Sequence, residues 1–162
     1  VLCMGSGMRE EPKASEHWIR DFLSMPVVDE PGTAFMYNTT GSSMLAALVQ
    51  KKTGMGMHEF LMEHLYQKIG IDGANHKWIR TSDGIEAGGA GLFATLEDNF
   101  RLMKLYMNGG VWNGERILAE DFVRAAISKQ IDTASEAKVN PPATDKFLGY
   151  GYQIWMCQPE GV

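Results

Sequence analysis

Tyr37 is the first residue whose surroundings suggest chemistry. It sits in PGTAFMYNTTGSSMLAALVQKKTG, residues 31 to 54, where a turn runs directly into an amphipathic helical pattern. A free phenol has a pKa of about 10 and is a poor base at neutral pH. It becomes useful only where nearby positive charge stabilises the phenolate. Residue type alone favours a plainer role, a half-buried aromatic at a helix entrance. Other polar sets invite a catalytic reading and fail on context. Ser135 to Lys138 spells S-x-x-K, but it lies in a polar stretch with no apolar helix to bury the lysine and depress its pKa. Ser82 to Gly84 spells S-D-G. Lys52-Thr53-Gly54 spells K-T-G, yet it reads as a helix end, where a cation and a left-handed glycine belong. Ser6 lacks the G-x-S-x-G elbow and reads as a turn residue. Tyr37, Asp83 and Glu86 share no spacing that would link them in a separate chemistry.

Metal chemistry finds little support in the spacing. His58 and His64 are six residues apart. At about 100° per residue they point to different sides of a helix and cannot share an ion. Cys3 and Cys157 lie near opposite ends, follow no ligand spacing, and read as two ordinary thiols. The 11 methionines suit adaptable packing better than a metal site. No metal or cofactor is expected.

The elements that must position Tyr37 are mostly helical. Ser15 can cap a helix whose inward face is Trp18, Ile19, Phe22 and Leu23, ended before Pro26. Thr39 or Thr40 can cap the next, with Met44, Leu45, Leu48 and Val49 inward and Gly54 at its end. A third runs from about Met57 to Ile69 and stops at Gly70, with Phe60, Leu61 and Leu65 as core candidates. Thr95 followed by Asp98 is a capping-box variant that opens a fourth helix through Phe100, Met103 and Met107. Asn113-Gly114 signals a two-residue hairpin. Phe122, Val123, Ala126 and Ile127 give a fifth helix its buried side. Residues 130 to 146 are polar with Pro141-Pro142 and read as a mobile loop. An aromatic strand follows from Phe147 to Met156.

At 162 residues, 44% hydrophobic and 22% charged, the chain has the size and composition of one globular domain. A net charge of -5 and pI near 5.3 offer no basic patch for nucleic acid or an anionic membrane. No apolar run approaches the roughly 20 residues of a membrane span. Residues 1 to 10 lack the basic start and apolar stretch of a signal peptide, so any such peptide would lie upstream.

The segment around Tyr37 resembles the second active-site element of the serine β-lactamase and penicillin-binding-protein superfamily, which reads roughly P-G-x-x-F-x-Y-S-N-x-G-Y-x-L-L, a helix, then T-G. Pro31, Gly32, Phe35, Tyr37, Gly41, Leu45, Thr53 and Gly54 fall in the matching places. Asn38 stands where serine is usual and Thr39 where the family has asparagine. VLCMGSGM at the start is similar to the family's LLTMTSGM. Residues 88 to 118, GGAGLFATLEDNFRLMKLYMNGGVWNGERIL, are similar to GGLxSTxxDxxRFxxLxLNGGxxxGxRIL, and FLGYGYQIW to the Y-G-Y-G-W strand.

The resemblance implies an α-rich α+β fold, the helical part of the β-lactamase/transpeptidase-like architecture, with short strands and one edge strand near the C-terminus. The family's S-x-x-K precedes the SGM segment and its K-T-G or H-x-G follows the Y-G-Y-G-W strand. Neither occupies those places in residues 1 to 162, and the S-x-x-K, S-D-G and K-T-G strings above run in reverse order. The chain is therefore expected to be part of a serine hydrolase acting through an acyl-enzyme on a small-molecule ester, amide or β-lactam, and inactive by itself. The alternative is a binding or structural module with a relic cleft. By resemblance Tyr37 moves a proton during acylation, and Asn38, Thr39, Gly89, Ala90 and Tyr150 contact substrate. Segments 88 to 92 and 150 to 155 would be cleft walls. Thr39 offers one hydroxyl where an amide would supply both a donor and a carbonyl, which weakens β-lactam recognition in particular. An aromatic edge strand with open hydrogen-bonding groups would favour pairing with a second copy. The compartment is left open, a periplasmic or extracytoplasmic parent being compatible with the resemblance.

Overall fold

The computed structural model describes residues 1–133 and 147–157, so most of the stretch expected to be a mobile loop, and Ser135 to Lys138 with it, lies outside the described residues. The chain forms two compact units, Val1–Ser42 with Arg124–Val162, and Ser43–Val123. The chain passes between them within α2, Thr39–Thr53, and α5, Glu120–Ala126.

In the first unit the glycines of MGSGM act as a seat for the segment that carries Tyr37. Gly5 O accepts from Gly32 N at 2.8 Å, Gly7 O from Val28 N at 2.8 Å, and Met4 O from Met36 N at 2.9 Å. A Cβ on Gly7 would run into the carbonyl of Asp29, and its φ of +82° is itself costly for any other residue. Helix α1, Trp18–Leu23, buries Trp18 and Phe22. Leu23 stays exposed, because the helix has only six residues and meets its neighbours along one side. Ser15 accepts from His17 N and bonds Asp21 from two residues before the N-cap it was expected to be, and His17 takes the N-cap position with no side-chain cap bond.

The aromatic C-terminal stretch is a hairpin rather than one strand. β5, Phe147–Tyr150, pairs antiparallel with β6, Trp155–Cys157, through a turn in which Gln153 adopts a φ of +61°. Gln153 N and Nε2 both donate to Leu2 O, which fixes that turn to the N-terminal segment. Ile131 bridges Tyr150 from the other side, so the edge expected to be open is paired there. Met4, Phe35, Ile131 and Tyr150 form the core of this unit, with Trp155 packed against it.

In the second unit the third helix has the expected span but not a uniform pitch. α3, Met57–Leu61, widens into a π turn at Met62–Tyr66 and tightens into a 3-10 turn at Gln67–Ile69 before left-handed Gly70. β1, Lys77–Trp78, pairs with β2, Leu92–Phe93. The capping box of Thr95 and Asp98 opens α4, Leu96–Met107, as expected. On its inward face Leu105 is buried with Tyr66, Ile69 and Ile71, and Leu102 packs beside them, while Phe100, Met103 and Met107 are exposed. Both sets are apolar at helical spacing, so periodicity alone could not choose between them. The Asn113-Gly114 turn joins β3, Val111–Trp112, to β4, Glu115–Arg116, with both central residues at positive φ. In α5 Val123 and Ala126 are buried as expected, and Phe122 and Ile127 are exposed. Leu48 on α2 is likewise exposed rather than inward.

Candidate active site

Tyr37 lies at the last step before α2, and three features of the first unit hold it. Phe35, two residues earlier, is buried against Tyr150 and Trp155, each at 5.4 Å between ring centroids. Two residues on along the extended segment, Tyr37 points to the same side and meets the same two rings, but stays 40% exposed where Phe35 is buried. Its ring stacks on Trp155 at 5.6 Å and 17°, and meets Tyr150 edge-on at 6.4 Å and 85°. The phenol is thus held by rigid aromatic neighbours on the side away from solvent.

The start of α2 is capped by a residue that sequence reading placed elsewhere. Asn38, not Thr39 or Thr40, supplies the side-chain cap: its Oδ1 accepts from Gly41 N at 2.6 Å. A Cβ on Gly41 would sit 3.2 Å from that oxygen, which accounts for a small residue there. Asn38 is 2% exposed, and its Nδ2 has no hydrogen-bond partner among the described residues. Thr39 N and Thr40 N donate to the two carboxylate oxygens of Glu11 at 2.6 and 3.1 Å, and Thr40 Oγ1 donates to it at 2.8 Å. A carboxylate at a helix N-terminus satisfies free backbone donors and opposes the positive end of the helix dipole. Nothing in the spacing announced Glu11, which comes 28 residues before Thr39.

Ser42, one turn into α2, donates to Gln153 Oε1 at 2.7 Å. That bond ties the helix to the β5–β6 turn and keeps Tyr150 and Trp155 beside Tyr37. Tyr150 is itself 2% exposed. Burial, with the negative charge Tyr37 would carry when ionised, pushes its pKa up to about 12. Tyr150 therefore stays a neutral phenol throughout the physiological range.

The first unit brings together Tyr37, Asn38, Thr39 and Tyr150. Gly89 and Ala90 belong to the second unit. There Gly89 N donates to Ser43 Oγ at 3.3 Å and Ala90 N to Ala87 O at 3.2 Å, in a turn closed by the bond from Ile79 N to Gly91 O. Glu86 is buried in the same unit as a structural carboxylate, accepting from Arg80 at 2.7 Å and from Met57 N at the start of α3 at 2.9 Å. Asp83 lies in the Thr81–Ile85 turn and bonds Thr81. His64 packs on Phe60 while His58 meets His76, so the two helix histidines do face apart. Among the described residues no three of His, Cys, Asp and Glu converge as a metal cluster, and no helix is long and apolar enough to cross a membrane.

The Beta-lactamase family model matches residues 1–159. The chain belongs to the β-lactamase family. Solved structures agree with this β-lactamase membership. A protein from Bacillus anthracis assigned as a 6-aminohexanoate-dimer hydrolase is 27% identical with a TM-score of 0.67, covering 98% of this chain and 40% of its own. A candidate β-lactamase from Bacteroides dorei is 21% identical with a TM-score of 0.67, over 93% of this chain and 50% of that one. The octameric penicillin-binding protein homologue from Pyrococcus abyssi is 17% identical with a TM-score of 0.66, over 95% and 42%. The last two establish the fold alone. This β-lactamase-family chain spans half or less of the length of these structures. Its helix-rich architecture with small two-stranded sheets is the one expected from the sequence.

Proposed function

We propose that the chain supplies the Tyr37 side of an acyl-enzyme hydrolase that cleaves an ester, amide or β-lactam, and that residues 1 to 162 do not turn over by themselves. The observation that carries the reading is the placement of Tyr37: a part-exposed phenol stacked on Trp155 at the mouth of a capped helix, within a chain of this family. The assignment of the Bacillus anthracis neighbour as a dimer hydrolase supports hydrolysis as the reaction class.

In this scheme a serine of S-x-x-K attacks the substrate carbonyl. Its proton passes to Tyr37 Oη, whose phenolate is held by the adjacent lysine, and then to the leaving amine or alkoxide as the old bond to carbon breaks. Water then cleaves the acyl-serine ester. Asn38 serves as the cap that fixes the backbone after Tyr37. Thr39 and Tyr150 supply substrate contacts from the same unit as Tyr37. Trp155 holds the phenol at one angle. The single S-x-x-K in the sequence is Ser135 to Lys138, outside the described residues and on the wrong side of the tyrosine segment for the family order.

The test is hydrolysis of a chromogenic ester and a chromogenic cephalosporin. The 162-residue chain is expected to give no turnover above its Tyr37→Phe variant. In a longer polypeptide joining these residues to an upstream S-x-x-K segment, Tyr37→Phe is expected to lower acylation by roughly 10² to 10⁴-fold. Equal acylation with and without the hydroxyl would remove Tyr37 from the reaction.

A further inference from the structure

The second unit carries a group of donors that the hydrolase reading does not use. His58 Nε2 lies 3.1 Å from His76 Nδ1, and the other ring nitrogen of His76 lies 3.3 Å from Asp98 Oδ2. His76 is deeply placed, its side chain only 2% exposed. The carboxylate accepts a proton from His76 Nε2, which sets the tautomer and leaves Nδ1 with a lone pair aimed at His58. Asp98 is itself fixed, because Thr95 N and Oγ1 both donate to the same Oδ2.

A thioether lies on the same side as His58. His58 and Met62 are four residues apart and so share a helix face. Both border one point above Gly73: a Cβ there would lie 2.6 Å from Met62 Sδ and 3.4 Å from His58 Nε2. The positive φ of Gly73 and the bond from His76 N to Gly73 O fold the loop so that His76 returns to that face. A side chain at position 73 would collide with the thioether, so only glycine lets Met62 Sδ approach the loop this closely.

From this arrangement we infer a binding site for a single soft monovalent metal ion, Cu⁺, held by His58 Nε2, His76 Nδ1 and Met62 Sδ, with Asp98 orienting His76. Two nitrogens on one ion at metal–nitrogen distances near 2.0–2.1 Å stand roughly 3.3 Å apart, close to the separation found here. Binding replaces the shared proton between the rings. His58 moves its Nε2 proton to Nδ1, so both imidazoles remain neutral and no net proton or electron is transferred. Two imidazoles and a thioether, without thiolate or a third anionic ligand, favour Cu⁺ over Zn²⁺. The carboxylate–histidine–metal chain is the usual outer support of such ligands.

The competing account is a plain hydrogen bond between two histidines, and the experiment separates the two. The 162-residue chain, carrying Cys3→Ser and Cys157→Ser to remove competing thiols, is titrated anaerobically with Cu⁺ against a chromophoric chelator. X-ray absorption then reports the ligands. One equivalent is expected to bind, with nitrogen and sulfur in the first coordination sphere and a raised melting temperature. Met62→Leu, which keeps the packing volume, and His76→Gln are each expected to weaken binding tenfold or more. Met62→Leu is also expected to remove the sulfur signal. No binding in the parent, or equal binding in both variants, overturns the site. Loss in His76→Gln with an intact sulfur signal in Met62→Leu overturns the thioether ligand and with it the copper assignment.

Discussion

The Tyr37 phenol and the Trp155 indole stack at 5.6 Å with their planes 17° apart, although 118 positions of sequence separate them. One face of the phenol is thereby covered by a ring from β6, and its direction is set by the hairpin rather than by the turn that carries it. Trp155→Ala removes that cover and its contact with Phe35. Truncating a large aromatic in a core costs about 3–5 kcal/mol, and this indole is only partly buried. A loss of about 2–3 kcal/mol in a urea titration is expected, whereas Trp155→Phe, which keeps a ring, should lose about half of that or less. Equal losses would mean that the stack contributes nothing specific.

Asn38 is a cap with a penalty attached. Its Oδ1 holds Gly41 N, but its buried Nδ2 is left without a partner among the described residues. Asn38→Ala removes the cap and is expected to cost about 1 kcal/mol. Asn38→Ser keeps a capping oxygen and removes the stranded amide, whose burial carries a penalty of about 1–3 kcal/mol. The serine variant should therefore be at least as stable as the parent by chemical denaturation. A serine variant less stable than the alanine one would show that Nδ2 has found a partner of its own.

The sequence was most legible where a local rule is strong. The Thr95–Asp98 capping box, the Asn113-Gly114 hairpin and the left-handed ends at Gly54 and Gly70 need only neighbours in the chain, and each is present. Helix faces were legible in period but not fully in direction, since α5 buries Val123 and Ala126 and leaves Phe122 and Ile127 exposed, and Leu48 on α2 is exposed as well. Tyr37 drew attention through its motif, and no pattern of composition would have singled it out. Its supports, Glu11 at Thr39 and Thr40, Gln153 at Ser42 and Trp155 at the ring, are long-range, and no spacing rule reaches that far. The hairpin hidden in the aromatic strand was missed because its turn at Gln153 lacks glycine at the position of positive φ.

The phenol of Tyr150 predicts a specific alkaline weakness. Its folded pKa of about 12 lies above the ordinary phenol value of 10.0, so the folded state holds the proton more tightly than the unfolded chain does. The stability this contributes is fully present below pH 10 and is lost as the pH rises toward 12. Denaturation midpoints measured across that range should fall more steeply for the parent than for Tyr150→Phe, which has no proton to lose. Parallel curves would place the alkaline sensitivity elsewhere, for example at Tyr66 or Tyr106, whose pKa values burial also raises.

Gly7 tests whether the N-terminal segment is a true support of the Tyr37 turn. Its carbonyl accepts from Val28 N and Asp29 N, its φ is +82°, and the place of a Cβ is already taken by the Asp29 carbonyl and by Val27. Gly7→Ala must adopt a left-handed conformation and also push residues 27–29 away, so the two costs act together. A loss above about 2 kcal/mol is expected, the range of backbone strain combined with a displaced contact. Gly32→Ala is the matched control, because its φ of +89° is equally unfavourable while a Cβ there meets nothing within 4 Å. It should lose only the conformational part, about 1 kcal/mol. If the two variants melt together, close packing on Gly7 is unimportant and Tyr37 is held by its aromatic neighbours alone.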